Sequence, residues 1–157
     1  MFNLVIMERI WIYQASRPFS EREEEMVCAK LEQFTGQWKA HGAPLAATVE
    51  IRYHLFVILA VDLSQVLPSG CSIDASVHLL KELEQELGVS LFDRMQIAYR
   101  QNDEINVVPR ATFERLIAQG TVQDDTIVFN NLVDNRTDLN EKWEVPLKQS
   151  WHAHVFG

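Results

Sequence analysis

The stretch LAATVEIRYHLFVILAV, residues 45–61, decides the fold that this sequence predicts. Residues 45–53 alternate between apolar and polar side chains, whereas residues 55–61 are apolar throughout. Alternation is typical of a strand with one exposed face, and a continuous apolar run is typical of a strand buried on both faces. The stretch therefore predicts a β-hairpin whose second strand lies in the middle of a sheet.

A helix and a further strand are predicted on each side of this hairpin. Before it, residues 9–14 have the pattern of a strand, and Ser20 with Glu23 forms a capping box for a helix that Gly42 ends. After it, apolar residues at helical spacing predict a second helix ended by Gly88, and residues 94–100 alternate again. This order predicts an α+β protein with a ferredoxin-like βαββαβ core, in which both helices cover one face of the sheet.

The opposite face of the sheet is the predicted ligand- or partner-binding site. Strand periodicity places Trp11 and Tyr13 there, beside Arg52 and Arg100. Aromatic rings flanked by arginines suit a planar anionic ligand or a protein partner. The alternative is simple burial of these side chains by the C-terminal segment or by a second subunit of a homodimer.

The character of the chain changes at about residue 101. A short strand, a short helix and another strand follow, and no low-complexity linker separates them from the first part. The sequence therefore predicts a core at residues 1–100 and a small C-terminal strand–helix–strand extension at residues 101–157, packed on the core.

Composition and charge exclude several classes of protein. The net charge is -8, and the acidic excess is spread along the chain, so binding to nucleic acid is not predicted. No apolar run is long enough to span a bilayer, so membrane insertion is not predicted either. The first residues lack the basic region and cleavage site of a secretory signal, and Met7 is an alternative start. A cytoplasmic protein with reduced thiols is expected.

A cadence in residues 104–147 resembles the GYF-type module found in many bacterial proteins. It is carried by Phe113-x-x-Leu116-Ile117-x-x-Gly120-x-Val122-x-x-Asp125-Thr126-x-Val128 and by Trp143-x-Val145-Pro146-Leu147. The resemblance implies a small strand–helix–strand unit. In that family a Gly-Pro pair precedes the helix, where this chain has Val108-Pro109.

The whole chain is similar to a family of short, uncharacterised bacterial proteins that often carry the label "ABC transporter ATPase". Four segments carry this similarity: Trp11-Ile12-Tyr13-Gln14, Gly70-Cys71-Ser72-Ile73-Asp74, Phe129-Asn130-Asn131-Leu132 and Ser150-Trp151-His152. A P-loop ATPase needs a glycine-rich loop that ends in Gly-Lys-Ser/Thr, and this chain has no Gly-Lys dipeptide. ATPase activity is therefore not predicted.

The segment around Cys71 is the candidate catalytic site. It is expected to open the second helix, where free N–H groups and the helix dipole would favour a thiolate. His152 or His78 could serve as the partner base if the fold brings one of them near. The alternative is structural: Ser72 caps the helix, Asp74 is an acid of its first turn, and Cys71 is a small buried residue.

No metal or cofactor is predicted. His152 and His154 are two apart and would share one face of a strand, but no third ligand follows from the spacing. The leading hypothesis is therefore a non-enzymatic cytosolic module that binds a protein partner or self-associates through the open sheet face. The alternative hypothesis is a thiol-dependent enzyme or redox sensor that uses Cys71.

Overall fold

The computed structural model describes residues 7–156, which form two compact units. The first unit contains residues 7–92 together with Asp134–Arg136, and the second contains Asp93–Val133 and residues 137–156. The alternative start at Met7 concerns residues 1–6, which lie outside the described residues. The sequence predicted a division at residue 100, whereas the contacts divide the chain after Phe92.

The first unit is a three-stranded sheet with two long helices and a short hairpin. Its elements are β1 (Glu8–Gln14), α1 (Glu21–Gln37), β2 (Lys39–Ala40), β3 (Ala43–Pro44), β4 (Ala47–Arg52), β5 (Phe56–Asp62) and α2 (Gly70–Leu87). The sheet order is β1-β5-β4, and both pairings are antiparallel. The central strand is the continuously apolar one, and its residues 56–61 are buried. The hairpin and the α+β class are confirmed.

Local sequence signals explain where the two helices begin and end. The hydroxyl of Ser20 accepts from the N–H of Glu23, and the Glu23 carboxylate accepts from the N–H of Ser20, which is the predicted capping box. The prediction that α1 runs to Gly42 is wrong, because α1 ends at Gln37 and Gly42 belongs to the next turn. Gly88 ends α2 in the left-handed conformation, with φ of 65°.

The predicted four-stranded ferredoxin-like order is not observed, because the fourth strand lies in another sheet. Residues 96–101 pair with residues 104–109 instead of with β1. The cause is the two-residue turn Asn102-Asp103, whose φ angles of 52° and 66° favour a tight hairpin. Beside β1 there is instead a bridge between Arg9 and Asn135, with the N–H of Ile10 donating to the carbonyl of Asp134 at 2.8 Å.

The prediction that Trp11 and Tyr13 lie on the open face of the sheet is wrong. The Trp11 ring lies 6.0 Å from the ring of Trp38, directly after α1. Tyr13 is buried, and its hydroxyl is hydrogen-bonded to Ser76 of α2. Both aromatic side chains therefore lie on the helix-covered face. Strand period two separates the faces of a strand, but it does not decide which face the helices cover.

The second unit is built on a four-stranded antiparallel sheet. Its elements are β6 (Gln96–Gln101), β7 (Glu104–Pro109), α3 (Arg110–Ala118), β8 (Ile127–Phe129), α4 (Arg136–Lys142), β9 (Glu144–Pro146), a 3₁₀ turn (Leu147–Gln149) and α5 (His152–Phe156). The first residue of α4, Arg136, belongs to the first unit. The strand order is β7-β6-β8-β9. Its core contains Ile97, Tyr99, Phe113, Val122, Val128 and Leu147.

Candidate functional site

A groove of about 720 Å³ in the first unit is the candidate functional site. One wall is the end of α1 with the hairpin that follows it, and the other is the start of α2. The lining residues are 34, 37–39 and 41 on the first wall, and 69–72 and 75 on the second. Cys71 is exposed on this second wall.

Trp38 joins the two walls of the groove. It is 4% exposed, and its indole N–H donates to the carbonyl oxygen of Ser72 at 2.7 Å. Its ring also packs against the ring of Phe34 at 5.1 Å. A buried indole needs a hydrogen-bond acceptor, and the first turn of α2 supplies one. The end of α1 is thereby held against the start of α2.

A tight turn brings two cationic or potentially cationic side chains to the first wall. His41 and Gly42 have φ of 52° and 79° and connect Ala40 to its partner Ala43, which is the geometry of a two-residue hairpin. Histidine is one of the few residues besides glycine that visits this region with any frequency. Lys39 and His41 are both exposed and line the groove.

The second wall presents the amino end of an 18-residue helix. Ser69 caps it: its hydroxyl accepts from the N–H of Ser72, and its own N–H donates to the Ser72 hydroxyl at 2.7 Å. Ser72 is therefore the partner of the cap and not the cap itself. The N–H groups of Gly70 and Cys71 have no acceptor within a helix, because they belong to its first turn. Asp74 is exposed and does not line the groove.

The groove is suited to an anionic ligand. Among the described residues that line it, none is acidic. Lys39, the amino end of α2 and, when protonated, His41 all contribute positive potential. The exposed thiol of Cys71 is the nucleophile that such a ligand would meet. Cys28, on α1, differs: burial and the nearby Glu24 and Glu32 raise the pKa of its thiol.

The two arginines of the predicted binding face are in different units. Arg52 of the first unit pairs with Glu50 at 3.0 Å. Arg100 of the second unit pairs with Glu144 at 2.7 Å, and its guanidinium lies 5.6 Å from the ring centroid of Phe129. Arg52 lies on the sheet face opposite Trp11 and Tyr13, since its position in the β4 register is out of step with theirs.

Of the two histidines that the sequence offered as a base, His78 lies in the same unit as Cys71 and His152 lies in the other unit. His78 follows Cys71 by seven residues on α2, about 10 Å along the helix axis. His152 belongs to the second unit, where it is 2% exposed. Its ring stacks on Trp151 at 3.8 Å, and its Nδ1 is 2.7 Å from the hydroxyl of Ser150. Burial lowers the pKa of His152 to about 4. These contacts describe a residue that packs the core of its unit.

Sequence reasoning missed Trp38, Lys39 and His41 as site residues. Gly42 was used only as a helix stop, although the pair His41-Gly42 also fits the two-residue turn of a hairpin. No sequence signal tied Trp38 to Ser72, since they are 34 positions apart and meet only in the tertiary structure.

Residues 7–156 lack the features of two other kinds of site. Within that range, no group of three or more His, Cys, Asp or Glu side chains could hold a metal ion. None of the helices in the same range is both long and apolar enough to cross a membrane. Comparisons with family models, with curated proteins and with solved structures found no match to this chain. The two resemblances and the cytoplasmic location therefore stay predictions.

Replacing Trp38 by phenylalanine tests how the groove is held. We expect Trp38→Phe to lower the free energy of unfolding by about 1–2 kcal/mol, because the ring is kept but the hydrogen bond to the Ser72 carbonyl is lost. Urea unfolding measures this change. Trp11→Phe is the matched control, since it alters a ring in the same cluster without removing a bond to α2. Equal effects of the two changes would contradict the assigned role of the indole.

Proposed function

We propose that the protein binds a small anionic ligand in the groove and that Cys71 is the group that reacts with it. The function is thus a thiol-dependent activity, either enzymatic or sensory. The observation that carries the proposal is the exposed Cys71 on a groove wall that faces Lys39 and His41 and has no acidic side chain among its described residues.

The geometry favours this proposal over partner binding through the open sheet face. Partner binding relied on Trp11 and Tyr13 as exposed aromatic anchors, and both side chains lie under the helices. The groove instead brings together a nucleophile, a source of positive potential and an aromatic side chain, Phe34, that is half-buried. A concave site with a few convergent polar groups is the usual form of a small-ligand site.

Alkylation by two reagents of different charge tests the proposal. In a Cys28→Ser background, iodoacetate and iodoacetamide each form a C–S bond with the Cys71 thiolate and release iodide, but only iodoacetate is an anion. We expect the ratio of the iodoacetate rate to the iodoacetamide rate to exceed that of an unstructured cysteine peptide. The ratio should fall as salt is added, because screening weakens the attraction of the groove.

Lys39→Gln should lower this ratio about threefold, since one nearby charge at a partly screened distance contributes under 1 kcal/mol. Lys30→Gln is the matched control, because Lys30 pairs with Glu86 and does not line the groove. A ratio that Lys39→Gln leaves unchanged would refute the anionic site. An unreactive Cys71 in the folded protein would refute the thiol role. The Trp38→Phe variant would still measure how the hydrogen bond to α2 stabilises the fold, but it would have no bearing on function.

A further inference from the structure

We draw no further inference here: the strongest candidate, the outer edge of β7 in the second unit, where the backbone groups of Ile105 and Val107 point away from β6, carries nothing, because nothing within the described residues 7–156 shows what covers it.

Discussion

Replacing Phe113 by alanine is expected to lower the free energy of unfolding of the second unit by about 4 kcal/mol. Phe113 is 0% exposed and lies at the centre of the core of that unit. Its ring lies 5.8 Å from Tyr99 and 5.1 Å from Phe156. Truncation loses the free energy gained by moving a whole ring out of water, and it leaves a cavity between a sheet and two short helices. The measurement is urea unfolding followed at amide signals of β6 and β8.

Phe156→Ala is the matched control for this change. Phe156 packs on the same ring but is only half-buried, so its truncation should cost less than half as much. Equal losses for the two variants would mean that the cluster is not centred on Phe113. A loss under about 1 kcal/mol for Phe113→Ala would contradict the burial on which the prediction rests.

Acid is expected to destabilise the second unit through His152. Burial lowers the pKa of this histidine from 6.5 to about 4, so the folded state holds its proton less tightly than the unfolded state does. The contribution is therefore fully present above pH 6.5 and is lost progressively as the pH falls from 6.5 to 4. The lost free energy of unfolding is about 3 kcal/mol, since one pKa unit corresponds to about 1.4 kcal/mol.

The measurement is the free energy of unfolding between pH 4 and pH 8, for the natural chain and for His152→Gln. The variant should show a flatter acid limb. His154→Gln changes an exposed histidine of the same helix and should keep the steep limb. The quantity to compare is the difference in free energy of unfolding between the variant and the natural chain at each pH. This difference cancels the contribution of His54, which has the opposite pH dependence because Glu24 raises the pKa of His54. Identical acid limbs for His152→Gln and the natural chain would exclude His152 as the titrating group.

Much of the first unit follows from local patterns in the sequence. Continuous apolarity marked residues 55–61 as a central strand, and alternation marked residues 45–53 as a more exposed one. The Ser20–Glu23 capping box began α1 at the expected residue. Each of these signals depends on neighbours within a few positions along the chain, so a sequence contains all that is needed to interpret it.

The partner of the strand at residues 96–101 could not be predicted in the same way. Its alternation is compatible with a place beside β1 or with a place beside any other strand. The turn at Asn102-Asp103 decided the matter in favour of β7. Closing the two-residue loop between β6 and β7 costs little conformational entropy. Pairing with β1 would instead require closure of a loop of roughly eighty residues, which costs more.

By itself, the sequence determined the α+β class, the central hairpin and the start of α1, because propensity, capping and periodicity act locally. Cys71 was also recognisable as a residue at a helix start. Only the tertiary structure decided that Trp11 and Tyr13 face the helices, and that Trp38 brings Lys39 and His41 opposite Cys71. These outcomes depend on contacts between residues far apart in the chain. Burial of apolar surface drives such contacts, and because it is non-directional, the local sequence does not specify which distant residues will meet.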